Sequence, residues 1–183
     1  MKIITLDQSS TAMGIGIFTN GELTDYALIE PKKSRKVTEL VYKYDSDKHA
    51  HYLTMSEEMY KDIEYRITVI VDTFTIIFEK EKPDIIYLEN VYQSKNAKSV
   101  IDLARLQGFI MHLCHINNTP YVIVEENKWI CKWGKYGRIK RKERKKDIMQ
   151  KVNEMYNLNI TKDDISDAIG IGRYAIAQEE KEN

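Results

Sequence analysis

Apolar and polar positions change period several times along the chain. Ile3, Ile4 and Leu6, with Thr5 among them, form a short apolar, β-branched run that predicts a buried strand ending in Asp7. Small polar residues follow. Gly14-Ile15-Gly16-Ile17-Phe18 then predicts a second strand, in which glycine permits close backbone approach. The pair Asn20-Gly21 leads into a third strand that runs to Ile29. Asn-Gly between apolar segments is a strong hairpin signal, so these three strands are expected to be antiparallel. Residues 31–51 are polar, charged and without period, and are expected to form a loop or small excursion.

The period then becomes helical. Between residues 55 and 80, Met59, Ile63, Ile67, Ile70, Phe74, Ile77 and Phe78 recur at three- and four-residue steps and make one apolar face, which Pro83 closes. Residues 84–89 are an apolar run of strand length that, like the first, ends in an acid, Glu89. Residues 97–116 predict a helix with Val100, Leu103, Ala104, Leu106, Ile110, Leu113 and Cys114 as its buried stripe. Residues 121–124 predict a short strand after Pro120. A basic stretch, a glycine-containing loop from 134 to about 141, and a helix through Tyr156 come next, and a last helix runs from 161 or 162 to about 178. This order predicts a single α/β domain over residues 1–183: a mixed sheet of five strands, three antiparallel and then parallel ones, flanked by helices.

Charge adds one feature. Lys plus Arg and Asp plus Glu are both 28, so nothing draws the whole chain to a polyanion, but residues 128–146 hold ten basic residues and one acid, Glu143. A charge run of this kind is usually a solvated helix entry. Its place before a helix, with Trp129, Trp133 and Tyr136 upstream, favours contact with backbone phosphates instead. Two cysteines, Cys114 and Cys131, make neither a disulfide framework nor a metal-ligand spacing. His112, Cys114 and His115 fall within one helix and read as core and surface. No apolar stretch reaches the ~20 residues of a membrane span, and a cytoplasmic setting is expected.

The acids carry the chemistry. Asp7 and Glu89 each end a buried strand, and Asp164 and Asp167 lie three residues apart on one helical face beside Ile165, Ala168 and Ile169. Each has an ordinary reading. Asp7 could start a turn, and Asp164 could favour a helix N-terminus. Together they form a set of hard oxygen ligands suited to Mg²⁺ or Mn²⁺, and paired metals can activate water and stabilise a leaving 3′-oxygen.

Residues 88–99, Leu88-Glu89-Asn90-Val91-Tyr92-Gln93-Ser94-Lys95-Asn96-Ala97-Lys98-Ser99, followed by Leu103, Ala104, Gln107 and Gly108, resemble the second acidic block of the RuvC-type Holliday junction resolvases. These belong to the ribonuclease H-like superfamily. Asp7 with its polar turn and Gly14-Ile15-Gly16 resembles the family's opening strand, and Asp164, Asp167 and Ala168 its closing acid pair. The resemblance implies a ribonuclease H-like fold with Asp7, Glu89, Asp164 and Asp167 as metal-binding catalytic acids holding paired Mg²⁺ or Mn²⁺ ions, two per site. It further implies four-way DNA junctions and other branched DNA as substrate, paired cuts leaving 5′-phosphate and 3′-hydroxyl ends, and a homodimer joined through residues 97–116. Tyr92 stands where the family has an aromatic that meets bases, with Gln93, Lys95 and Asn96 beside it. Lys140, Arg141, Lys142, Arg144, Lys145 and Lys146 are the expected phosphate contacts, with Lys145 or Lys146 near the scissile phosphate. Residues 32–52 and the basic segment depart from the family pattern and resemble divergent bacteriophage members. Two other readings stay open: a non-catalytic module for branched DNA on the same fold, and an actin- or sugar-kinase-like phosphate loop at Leu6-Asp7-Gln8-Ser9-Ser10-Thr11. The latter needs a second domain that this length does not supply.

Overall fold

The structure is a computed structural model that describes residues 1–91 and 97–182. Its strands are β1 (Lys2–Gln8), β2 (Met13–Thr19), β3 (Glu22–Lys33), β4 (Val41–Asp45), β5 (Ala50–Met55), β6 (Ile85–Glu89) and β7 (Tyr121–Val124). Its helices are α1 (Glu57–Lys61), α2 (Ile63–Glu81), α3 (Ala97–Ile116), α4 (Glu126–Ile130), α5 (Arg141–Tyr156) and α6 (Asp163–Glu182). Among the described residues the strands form one mixed sheet in the order β4-β5-β3-β2-β1-β6-β7. The pairs β1–β2, β2–β3 and β4–β5 are antiparallel, while β1–β6, β6–β7 and β3–β5 are parallel.

The hairpin between β2 and β3 turns at Asn20 and Gly21, both with positive φ, as a tight hairpin turn between twisted strands requires. Alternation along the strands divides the core in two. Ile4, Leu6, Ile15, Ile29, Ile86 and Leu88 face α2 and α3, where Ile67, Ile70, Phe74 and Ile110 meet them. Ile3, Phe18, Leu28 and Tyr87 face α4, α5 and α6, whose contributions include Trp129, Ile148, Val152, Ile165 and Ile169. Asp7 and Glu89 continue the second of these alternations, so both carboxylates lie on the α6 side, at the carboxyl ends of adjacent parallel strands.

Helix α6 lies unusually close to the sheet. A Cβ on Gly14 would sit 1.9 Å from the Asp164 carbonyl oxygen, and one on Gly172 would sit 2.1 Å from the Phe18 ring. Thr5 Oγ1 donates to the Ala168 carbonyl at 2.6 Å and ties the helix down between those two points. On the other side, Arg66 of α2 is buried and donates from Nε to the Ser10 carbonyl at 2.5 Å, which holds the turn that follows Asp7.

Two expectations are corrected. The sheet has seven strands rather than five, because residues 31–51, expected to be a loop, supply the end of β3, all of β4 and the start of β5. Every side chain of β4 from Val41 to Tyr44 is exposed, and an edge strand held only by its hydrogen bonds to β5 leaves no burial pattern in the sequence. The helix expected over 55–80 is broken at Asp62, whose side chain caps α2 by accepting from the Glu64 and Tyr65 amides. No helix among the described residues is long and apolar enough to cross a membrane.

Candidate active site

Strand β1 delivers Asp7, and β6, one strand over in parallel register, delivers Glu89. The first turns of α6 bring Asp164 and Asp167 against the same place, because Gly14, which pairs with Asp7 across the hairpin, lets the α6 backbone settle on β2. Asp167 is buried, and its Oδ1 accepts no hydrogen bond. The Lys145 ammonium of α5 meets this group, 2.7 Å from Asp167 and 2.9 Å from Asp163. Among the described residues, no three His, Cys, Asp or Glu side chains are gathered tightly enough to chelate one ion as they stand. Among the described residues, Lys145 is the cation that ion-pairs with Asp167 at the centre of the cluster.

The electrostatics follow from crowding carboxylates in a partly desolvated place. Burial, then Glu89 and Asp167, push the Asp7 carboxyl well above the usual carboxylate range, with Lys145 pulling the other way. Burial raises Glu89 against the hydrogen bond it accepts from Trp129, and the Glu126 charge adds to the rise. Burial and Asp163 raise Asp164. Asp167 is pushed up to about 6 by burial, although Lys145 opposes it. Burial works against a charged Lys145, yet Asp167, Asp163 and Asp7 hold its proton more tightly than usual. A cluster that still repels itself with one lysine on it has room, in charge, for further cations. Its donors are hard carboxylate oxygens, one of them orphaned, and this fits Mg²⁺ or Mn²⁺.

Two depressions adjoin. A cleft of about 340 Å³ contains Asp7, Glu89 and Asp164 with Lys145 and Arg141 on its wall. A groove of about 550 Å³ beside it is lined by Arg141, Lys142, Lys145 and Lys146 together with Thr161 and Asp163. The expected basic residues therefore divide. Lys145 points inward to the acids and Lys146 is exposed along the groove. Arg144 pairs at 2.5 Å with Glu126 on the cleft wall, and Lys140 is exposed at the start of α5. Tyr92, Gln93, Lys95 and Asn96 lie outside the described residues. Trp129 and Trp133, upstream of the basic run, are core residues, 2% and 5% exposed, packed on Gly170 of α6. An amphipathic ring beside lysines carries no mark of which way it turns, and here the apolar underside of α6 takes both.

Several contributors escaped the sequence reading. Trp129 Nε1 donates to Glu89 Oε1 at 2.8 Å, and Gln8 Nε2 donates to the Glu89 carbonyl at 2.6 Å. Asp163 shares Lys145 with Asp167. Gln8 and Asp163 are direct neighbours of Asp7 and Asp164, which was the available signal. Trp129 is forty residues from Glu89 and had none.

A mixed sheet that opens with three antiparallel strands and continues in parallel ones, with acids at the ends of β1 and β6 and on the last helix, is the ribonuclease H-like architecture in its RuvC form. The chain belongs to the family described as Lactococcus phage M3 protein, whose model matches residues 1–177. It is similar to the crossover junction endodeoxyribonuclease RuvC of Fusobacterium nucleatum, 28% identical over 162 residues, covering 86% of this chain and 76% of the relative. Among solved structures, RuvC of T. thermophilus in complex with a Holliday junction substrate superposes with a TM-score of 0.68 at 11% identity, over 98% of this chain and 96% of that one. The fowlpox virus resolvase, in complex with substrate Holliday junction DNA, gives 0.51 at 14% identity, over 98% and 99%. At these identities the structural matches establish the fold.

Proposed function

We propose that the protein is a divalent-metal-dependent endonuclease that resolves four-way DNA junctions and other branched DNA by paired cuts leaving 5′-phosphate and 3′-hydroxyl ends. The observation that carries this reading is the meeting of Asp7, Glu89 and Asp164, from three elements far apart in sequence, in one cleft beside the groove of Arg141, Lys142 and Lys146, with Asp167 buried next to them on the Lys145 that lines both. A surface that only bound a polyanion would gain nothing from carboxylates that repel phosphate at its centre. The likeness to the Fusobacterium enzyme supports the same reading.

Asp7, Glu89, Asp164 and Asp167 are the residues that would hold Mg²⁺ or Mn²⁺, two ions per site. Such ions supply an activated water and neutralise charge on the leaving oxygen. The chain's own part is positioning. Asp7 and Glu89 stand on paired strands, Trp129 and Gln8 fix Glu89, and Lys145 is the lysine turned toward the scissile phosphate. Tyr92, with Gln93, Lys95 and Asn96, meets bases at the branch point, where stacking on an aromatic is worth ~1–3 kcal/mol.

Two symmetric cuts call for two sites, hence a homodimer. Ile101, Phe109 and Ile116 are exposed on one face of α3, and a Cβ on Gly108 in the same face would meet nothing within 4 Å. These features support α3 as the dimer helix. The work would be done in the cytoplasm of a bacterial host.

The test is cleavage of a labelled four-way junction beside a linear duplex, with Mg²⁺, Mn²⁺ or EDTA, by wild type and Glu89→Gln. Paired, metal-dependent nicks confined to wild type on the junction are expected. Tight binding without cleavage under any metal would turn the reading into a non-catalytic module, and absence of binding would refute it.

A further inference from the structure

We propose that the extension made by the end of β3 with β4 and β5 is a second phosphate-binding ledge, along which one arm of the branched DNA runs away from the carboxylate cleft. This rests on DNA as the substrate, as proposed above.

Strand direction decides which rim the ledge occupies. β1 and β3 are each antiparallel to β2, and β5 is parallel to β3, so the Lys33 end of β3 and the Met55 end of β5 lie at the same rim as Asp7. Register decides how far it reaches. Asp7 pairs with Gly14, Gly14 with Leu28, and Leu28 with Ala50. β3 then continues from Leu28 to Lys33, still paired with β5, which at ~3.3 Å per residue extends about 16 Å past the level of Asp7. Sideways, β4 is four strands from β1, about 19 Å at ~4.8 Å each.

Alternation decides which face is offered. Leu28 and Ala50 belong to the α6-side core, so Glu30, Lys32 and Tyr52 face that side, as does Lys43, the cross-strand partner of Tyr52. This is the face that carries the acids. Lys162, immediately before Asp163 and Asp164, reaches Glu30 at 2.7 Å and joins the ledge to the cleft. Lys32 lies 3.5 Å over the Tyr52 ring and 3.3 Å from Glu30. At the rim, Arg35 and Lys36 are exposed, and no acid occurs from 31 to 38. Arg35 has its contact with Glu57 only at 4.0 Å, with its side chain 94% exposed. The result is a cationic shelf continuous with the cleft. Its span matches about five nucleotides at ~3.4 Å per phosphate along one strand. Its occupant is a nucleic-acid backbone.

The experiment compares wild type with the triple variant Lys32→Ala, Lys36→Ala, Lys43→Ala in EDTA, where no cutting intervenes. Binding to a fluorescent four-way junction is measured between about 50 and 200 mM salt, each phosphate contact contributing about 0.9 to the slope of log affinity against log salt. The junction is made with long arms and with arms cut back to about half a helical turn. The triple variant is expected to bind the long-armed junction about tenfold more weakly, with a slope shallower by about 2 to 3, and the short-armed junction as wild type does. The pair Lys80→Ala, Lys181→Ala, at the opposite rim, should leave the slope unchanged, and equal melting temperatures verify folding. An unchanged slope in the triple variant, or an equal loss in the control pair, overturns the ledge while leaving the junction reading standing. A changed oligomeric state with an unchanged slope assigns the ledge to a protein partner and overturns it too. Wild type that binds no branched DNA overturns both.

Discussion

Gly14→Ala isolates the contact that brings the two halves of the acid cluster together. The added Cβ would lie 1.9 Å from the Asp164 carbonyl oxygen, 2.3 Å from its carbon and 2.9 Å from the Ile165 nitrogen. All three are backbone atoms that no rotamer change can clear. Ordinary contact begins at 3.4 Å, so the start of α6 would have to retreat by about 1.5 Å, against the bond that Thr5 makes to Ala168. Overpacking of this kind costs about 1–3 kcal/mol, which for a chain of this size lowers the melting temperature by about 2–4 °C for each kcal/mol. The functional loss should be larger than the stability loss. Asp164 and Asp167 ride on the displaced turns, while Asp7, opposite Gly14, does not move with them. A catalytic group misplaced by ~1 Å costs on the order of 100-fold in rate. Junction cleavage under single-turnover conditions should therefore fall about 100-fold, while junction binding, which the proposed function assigns to the groove of Arg141, Lys142 and Lys146, should stay within about twofold. A Gly14→Ala protein that melts and cleaves as wild type does would refute the claim that this packing distance sets the site.

Trp129→Phe keeps a buried ring but removes the proton donated to Glu89, so cleavage should fall at least about tenfold with a higher Mg²⁺ requirement, measured as rate against metal concentration. A wild-type metal titration would dismiss the positioning role. Burial holds the His51 imidazole below its ordinary value of 6.5, between Tyr42, hydrogen-bonded to it at 2.7 Å, and the Tyr44 ring. Its contribution to stability is therefore complete above pH 6.5 and is lost as pH falls through the folded value, because the unfolded chain takes the proton first. Melting curves of wild type and His51→Gln from pH 7.5 down to 5 should converge as this component disappears from wild type alone, and parallel curves would contradict it.

How much was legible beforehand depended on whether the cause was local. The strands that end in Asp7 and Glu89, the helix over 97–116 and the pair Asp164–Asp167 were readable because burial imposes a period on neighbouring residues. The acids could even be grouped, since carboxylates that end buried strands share a need for a cation. What β4 does was not readable: its side chains from Val41 to Tyr44 are exposed, and hydrogen bonding to β5 makes it a strand. The burial of the two tryptophans was unreadable for a related reason. Lysines at 128 and 132 marked the stretch as polar, while the surface that buries Trp129 and Trp133 is supplied by Gly170 on the last helix.

From its sequence alone, this protein's period, turns and acid placement determine a mixed sheet, its flanking helices and four carboxylates awaiting one another, because each follows from interactions between residues a few positions apart. Only the tertiary structure decided that Lys145 rather than Lys146 meets those carboxylates, that Trp129 holds Glu89, and that β3 and β5 run on past the site as a basic ledge. Those outcomes depend on which elements pack face to face and in what register. Nothing within one segment encodes the surface that a distant segment will present to it.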